Sequence, residues 1–118
     1  MNEFQVRTKI WLEIDGRPFL GGGRCRLLEA VARCGSINAA AKELGLSYRK
    51  AWAQLKAMEE AAPFPLLERR VGGRDGGASR LTPQARDLMQ RYQTLCRRLT
   101  VDADRCFAEH FRRGEDSC

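Results

Sequence analysis

The first segment of the chain alternates apolar and polar residues. Residues 4–14 read FQVRTKIWLEI and are rich in residues that favour strands, and the pair Asp15-Gly16 then forms a turn signal before the short run RPFL. This pattern predicts an N-terminal β-hairpin whose first strand extends along residues 4–14. Three consecutive glycines, residues 21–23, interrupt the chain before a helical pattern begins.

Downstream of these glycines the apolar positions recur with helical spacing and predict three consecutive helices. The run RCRLLEAVARCG predicts the first helix, with Gly35 as its C-terminal stop. Ser36 is a suitable N-cap for a second helix through Leu44, and Ser47 is a suitable N-cap for a third helix over residues 48–62. Two helices joined by a short turn that contains glycine are typical of a helix-turn-helix.

The second half of the chain predicts a β-hairpin and a long helix. LLERRV and SRLT are strand-like, and the glycine-rich GGRDGGA between them is typical of a hairpin tip. Thr82 then caps a helix that starts at Pro83 and is predicted to continue to Arg113. Apolar residues at three- and four-residue spacing form a strip on this helix, which needs a partner, either the domain's core or a second copy of the helix. The strip consists of Ala85, Leu88, Tyr92, Leu95 and Leu99.

Together these elements predict a winged helix-turn-helix. The expected fold is mainly α with small β-sheets, an N-terminal β-hairpin and a long C-terminal dimerisation helix. Residues 1–82 are assigned to the winged helix-turn-helix, residues 83–113 to the dimerisation helix of the same domain, and residues 114–118 to a flexible tail. The three small alanines at 39–41 are expected where the two helices of the motif cross, because their backbones approach closely there.

The charge of the chain favours a nucleic acid as partner. The 118 residues carry a formal net charge of +6, and 17 of the 21 basic residues are arginines, whose planar guanidinium groups suit phosphate and guanine contacts. We expect the N-terminal end of the third helix to enter the major groove of double-stranded DNA and the wing to contact the backbone beside it. The residues expected at this interface are Ser36, Ser47, Tyr48, Arg49, Lys50 and Gln54 on the helices, and Arg74 and Arg80 in the wing.

Two stretches, GSINAAAKELGLSYRKAW and GGRDGGASRLTP, resemble the N-terminal DNA-binding domain of ModE-type molybdate-responsive transcriptional regulators. LysR-type regulators share a more distant form of the same helix-turn-helix. The similarity covers about residues 5–100, in the same order and without large gaps. The resemblance implies a winged helix that dimerises partly through the long helix after the wing and binds an inverted-repeat operator.

The chain also departs from this family. ModE-type regulators carry C-terminal domains that bind molybdate, and no residues remain here to form them. We therefore expect a stand-alone DNA-binding form without direct molybdate sensing. Sensing would then fall to a separate effector-sensing protein, to the abundance of the regulator itself, or to neither.

Two alternatives of other classes are open at this point. The winged helix and the amphipathic last helix are also compatible with a protein-interaction adaptor whose basic surface is incidental. A metal- or thiol-responsive regulator is a further alternative, because Cys106 and His110 are four residues apart and Cys96 lies ten residues earlier. The favoured interpretation is that Cys96 and Cys106 are small buried side chains, since their spacing matches no recognised metal site.

Other functional classes find little support in the sequence. No acid, base or nucleophile is clustered with the single histidine, so we expect no enzyme activity, and no metal or cofactor is expected. The glycine clusters lack the spacing of nucleotide-binding loops. No apolar run is long enough for a membrane span, and the N-terminus has charges throughout and no signal-peptide pattern, so a cytoplasmic location is expected.

Overall fold

The computed structural model describes residues 3–69 and 78–112 of the chain. Four helices and two small antiparallel sheets follow one another in these residues, and a single π-helical turn, Ala108–Arg112, follows the last helix. The elements are β1 Leu12–Ile14, β2 Arg17–Leu20, α1 Gly22–Cys34, α2 Ile37–Leu44, α3 Tyr48–Ala61, β3 Leu67–Arg69, β4 Ser79–Leu81 and α4 Pro83–Phe107. The predicted fold class is confirmed, with three helices before a two-stranded wing and a long C-terminal helix.

The N-terminal hairpin is present but shorter than the sequence predicts. Asp15 and Gly16 adopt positive φ angles of 53° and 76°, as a type I′ turn between two strands requires. The prediction of a first strand along 4–14 was wrong, because β1 starts only at Leu12, which pairs with Leu20. Strand β2 ends at that residue, so the alternating residues before β1 have no partner strand to pair with.

The helices α1, α2 and α3 form the centre of the unit made by residues 11–89. The side chains of Leu28, Leu55 and Met58 are fully buried there. Of the three alanines expected at the helix crossing, Ala40 and Ala41 are buried and Ala39 is half-buried. Small side chains at these two buried positions let α2 pack closely against both α1 and α3.

Local hydrogen bonds fix the ends of the helix-turn-helix. Ser36 Oγ accepts a hydrogen bond from the Ala39 amide at 3.1 Å, and Ser47 Oγ accepts one from the Lys50 amide at 3.1 Å. Both serines are therefore the N-caps that the sequence predicts. Gly45, the residue between α2 and α3 with φ of 69°, occupies the left-handed conformation that glycine tolerates best.

An ion pair and a backbone hydrogen bond tie this region together. Arg33 on α1 pairs with Glu43 on α2, and this hydrogen-bonded carboxylate raises the pKa of the Arg33 guanidinium. The Ser79 amide of β4 donates to the Gly35 carbonyl at 2.9 Å, so the base of the wing is attached to the end of α1. These contacts orient the wing strands relative to the helix-turn-helix.

Residues 3–10 and 90–112 lie in a second compact unit. The Tyr92 hydroxyl donates to the Ile10 carbonyl at 2.7 Å, the hydroxyls of Thr8 and Thr100 are 3.3 Å apart, and the rings of Phe4 and Phe111 are 6.0 Å apart. The N-terminal segment therefore runs antiparallel along the second half of α4.

The long helix begins as predicted and shows a graded burial of its strip. Thr82 Oγ1 accepts from the Ala85 amide at 3.1 Å, and α4 starts at Pro83. Ala85 and Tyr92 are buried, whereas Leu95 and Leu99 are 38% and 40% exposed. The predicted end at Arg113 lies outside the described residues. No helix in the described ranges combines the length and apolar character needed to cross a membrane.

Candidate nucleic-acid interface

Helix α3 presents its first turn to solvent and its opposite side to the core. Ala51, Leu55 and Met58 are buried, at the spacing of four and three residues that defines one face of a helix. Tyr48 and Arg49, like the other residues at the start of α3, are exposed. The N-terminal turn of α3 is thus free to enter a groove while the rest of the helix is held by the core.

The predicted contact residues on this turn are Ser47, Tyr48, Arg49 and Lys50, and all four are exposed. Gln54, four residues after Lys50, is half-buried and lies on the same side of the helix. The first turn therefore carries a hydroxyl, a phenol, a guanidinium and an ammonium group. These are donors that bind phosphate oxygens and the acceptor atoms of guanine.

The N-terminus of α2 is the second helix start in the helix-turn-helix. Ser36 is half-buried, and its Oγ is occupied by the amide of Ala39. The amides of Ile37 and Asn38 are in the first turn of the helix, where N–H groups have no intrahelical acceptor. Ser36 therefore acts on the backbone, and the helix N-terminus that it caps is the part suited to a phosphate.

The wing contributes arginines beside the helix-turn-helix. Arg80 on β4 pairs with Glu68 on β3, its Nε is 3.7 Å from the carboxylate, and its side chain is 64% exposed. The neighbouring wing residue Arg69 is also exposed. Arg74 and the glycine-rich tip belong to residues 70–77 and lie outside the described residues.

A cleft of about 350 Å³ lies at the base of the wing. Its lining includes Gly35 at the end of α1 and both exposed wing arginines, Arg69 and Arg80. Glu68 supplies one negative charge to the same cleft. Two guanidinium groups against one carboxylate leave a net positive rim, which favours an anionic group such as a DNA phosphate.

Sequence reasoning missed three residues that the structure places beside the predicted ones. Ala53 and Lys56 are exposed on α3 and follow Arg49 at intervals of four and seven residues, which puts them on its face of the helix. Their spacing from Arg49 in the sequence could have identified both Ala53 and Lys56. Arg69 is the third, and the sequence alone could not identify it, because the pairing of the strands decides which wing residues face outward.

Within the described residues, Cys96 and Cys106 of α4 and His110 of the turn that follows it form no metal site. Cys106 Sγ is 3.6 Å from His110 Nδ1, and that nitrogen is also 2.8 Å from the Cys106 carbonyl oxygen. Among the described residues no group of three or more His, Cys, Asp or Glu side chains is placed to hold a metal ion. The expectation that Cys96 and Cys106 are buried was wrong, because Cys96 is half-buried and Cys106 is exposed. Phe4 lies 6.0 Å from Phe111 near this end of the helix, yet Cys106 stays exposed.

The sequence is similar to transcriptional regulators named ModE. The transcriptional regulator ModE of Haemophilus influenzae is 48% identical over 84 residues, which are 71% of this chain and 33% of that protein. The DNA-binding transcriptional dual regulator ModE of Escherichia coli K12 is 34% identical over 91 residues, 77% of this chain and 35% of that protein. The chain thus spans about a third of the length of the curated relatives that it matches.

A solved structure shows the same fold on DNA. The complex of the CbnR DNA-binding domain with DNA matches with a TM-score of 0.56 and 26% identity, covering 74% of this chain and 94% of that one. Residues 23–86, more than half of the chain, match the family described as "Bacterial regulatory helix-turn-helix protein, lysR family". The chain belongs to this family and carries the DNA-binding helix-turn-helix domain of ModE- and LysR-type transcriptional regulators.

Proposed function

We propose that the chain is a cytoplasmic, non-enzymatic transcriptional regulator that binds an inverted-repeat operator as a homodimer. The observation that carries the proposal is the exposed first turn of α3, with its hydroxyl, phenol and two cationic groups. The positively charged cleft between Gly35 and the wing strands adds to it. A helix in this position suits the major groove, which is wide enough to admit one α-helix.

Each predicted contact residue has a proposed role. Arg49 and Lys50 contact guanine or phosphate, and Gln54 contacts adenine. Ser47 and Tyr48 donate hydrogen bonds from their hydroxyl groups to the DNA backbone. Ser36 caps the N-terminus of α2, which lies against a DNA phosphate. Arg80, and Arg74 in the wing tip, neutralise phosphates of the flanking backbone.

The exposed part of the apolar strip supports the dimer. Leu95 and Leu99 are consecutive members of the strip on α4, at four-residue spacing, and both are more than a third exposed. A second copy of the same helix would bury these side chains against their equivalents in an isologous contact. Two-fold symmetry of the protein then matches the symmetry of an inverted repeat. We propose residues 83–113 as the dimerisation helix of the same domain.

Fluorescence anisotropy tests DNA binding. The wild-type chain should bind the DNA upstream of its own gene more tightly than scrambled DNA of equal length, at about 150 mM salt. Arg49→Ala should cost about 1–3 kcal/mol on the preferred site and relax the preference at one base pair. Arg26→Ala is the matched control, because Arg26 is an exposed arginine on α1 outside the helix-turn-helix and the wing.

The outcomes separate the classes of function. An equal loss for Arg49→Ala on preferred and scrambled DNA would make Arg49 a phosphate contact without a role in base recognition. Wild-type protein that binds neither DNA would refute the proposal and favour the adaptor function. Loss of binding on addition of a metal or of a thiol oxidant would favour the metal- or thiol-responsive alternative at Cys106 and His110.

The dimer and the response of these residues to molybdate need separate measurements. Leu95→Asp with Leu99→Asp should halve the molar mass measured by light scattering and weaken binding to the full operator. Thr94→Asp, an exposed position on α4 next to the strip, is the matched control and should leave the mass unchanged. Molybdate should leave the DNA affinity of the 118 residues unchanged, and a change in affinity would contradict that part of the proposal.

A further inference from the structure

The second and third turns of α3 carry an aromatic ring and an ammonium group that contact each other. Lys56 Nζ lies 4.7 Å from the ring centroid of Trp52, inside the roughly 6 Å range in which a cation is attracted to an indole face. The two residues are one helical turn apart, Trp52 is half-buried and Lys56 is exposed. Because the ring is half-buried and the lysine is exposed, the ring has less freedom to move and restrains the ammonium more than the reverse.

The position of Lys56 relates it to the DNA-facing side of the helix. Seven residues separate it from Arg49, which is two turns of helix and about 10 Å of axial rise. The major groove is about 12 Å wide. When Arg49 reaches base edges, the Lys56 ammonium therefore lies near the rim of the groove, where the phosphates are.

The neighbours of Lys56 leave its charge available and its approach open. Ala53, between Arg49 and Lys56 on the same face, is exposed and has the smallest side chain that a helix interior favours. Glu60 lies one turn beyond Lys56, yet within residues 3–69 and 78–112 Lys56 forms no ion pair. The cation–π contact is the interaction that the structure gives to the ammonium group.

Restraint of this lysine has a physical benefit for binding. A lysine side chain carries about 2 kcal/mol of rotamer entropy, part of which is lost when its ammonium binds a phosphate. Holding the ammonium over the indole face removes part of that loss before the DNA arrives. The ring keeps the positive charge intact while it limits where the charge points.

We propose that Lys56 is a phosphate contact of the recognition helix and that Trp52 is its positioning residue. This inference rests on the proposed function, because it extends the interface from the first turn of α3 to the third. Lys56 adds affinity that is independent of base sequence, whereas the first turn supplies the sequence preference.

The dependence of affinity on salt tests the contact. Lys56→Gln removes the charge and keeps most of the stem, so the slope of log affinity against log salt concentration should fall in magnitude by about 0.9, the value for one phosphate contact. Binding should weaken by the same factor on preferred and scrambled DNA. Lys9→Gln, the same charge change at an exposed lysine outside the helix-turn-helix and the wing, should leave the slope at the wild-type value.

A double-mutant cycle tests the positioning role. Trp52→Leu should weaken DNA binding less than Lys56→Gln, and adding it to Lys56→Gln should cause no further loss. Trp52→Phe, which keeps an aromatic face, should bind DNA nearly as tightly as wild type. Urea unfolding of each variant identifies any effect that arises from lost packing of Trp52.

The results distinguish the failure of this inference from the failure of the proposed function. Wild-type protein that binds DNA, with equal slopes for Lys56→Gln and Lys9→Gln, would overturn the phosphate contact. Additive effects of Trp52→Leu and Lys56→Gln would overturn the positioning role. Absence of any DNA binding by the wild-type protein would refute the proposed function itself.

Discussion

Two alanines of the helix-turn-helix lie in contrasting surroundings, so we expect the same substitution to have different effects at the two positions. Ala40 on α2 has none of its surface exposed, and it lies where α2 packs against α1 and α3. Ala53 on α3 is exposed on the side of Arg49. Replacing each by leucine adds the same three carbon atoms at a buried site and at a surface site.

The expected magnitudes follow from the space available. If the crossing had room, burying three more carbons at position 40 would stabilise the fold by about 2.4 kcal/mol, at about 0.8 kcal/mol for each. In a close-packed crossing the added carbons force the helices apart, which costs about 1–3 kcal/mol. Because Ala40 and Ala41 are both buried, we expect destabilisation. Ala53→Leu should change the free energy of unfolding by no more than about 0.5 kcal/mol.

Urea denaturation, monitored by circular dichroism, gives the free energy of unfolding of both variants, provided that the dependence of this free energy on urea concentration matches that of the wild type. Fluorescence anisotropy with the preferred DNA gives their affinity. We expect Ala40→Leu to unfold at lower urea concentration. Ala53→Leu should unfold like wild type but bind DNA more weakly, because a bulky side chain then stands between α3 and the groove. An Ala40→Leu variant as stable as wild type, or more stable, would refute the argument for a close crossing.

Three further predictions concern separate contacts. Ser36→Ala removes the hydroxyl that caps α2 and should lower the free energy of unfolding by about 1 kcal/mol; an unchanged urea midpoint would contradict this. Tyr92→Phe loses the 2.7 Å hydrogen bond to the Ile10 carbonyl and should cost about 0.5–1.5 kcal/mol in the same assay, whereas equal stability would show that water replaces the bond. Glu68→Gln removes the carboxylate 3.7 Å from Arg80 Nε and should tighten DNA binding, measured by anisotropy, and weaker binding would show that Glu68 serves to orient the guanidinium.

Signals that act within one helical turn were sufficient to predict the helix-turn-helix. The predicted caps Ser36 and Ser47 are the caps observed, and the third helix runs over Tyr48–Ala61 against a predicted 48–62. A capping hydrogen bond spans three residues, and an apolar stripe repeats every three or four. Both are therefore properties of the local sequence, which is why they could be read without knowledge of the fold.

Features that depend on a distant partner were predicted less well. The alternation of residues 4–14 is compatible with a strand, but β2 ends at Leu20 and the earlier residues run along α4 instead. The exposure of Cys106 had the same origin, because burial depends on what covers a position and not on its residue type. The residue type predicted that Cys106 is buried, whereas its neighbours in the described part of the structure leave it exposed.

The sequence by itself determined the helix-turn-helix, its caps Ser36 and Ser47, the glycine between α2 and α3, and the residues at the exposed start of α3. It placed the glycines 21–23 before the first helix, whereas α1 begins at Gly22. The tertiary structure decided which of these elements meet. The amide of Ser79 reaches the Gly35 carbonyl, 44 positions earlier in the chain, and thereby places the wing beside the helix-turn-helix. It also decided that Ala40 is buried while Ala53 is exposed. The physical reason is that backbone conformation responds to neighbours within a turn, whereas burial and long-range hydrogen bonds depend on packing across the whole unit.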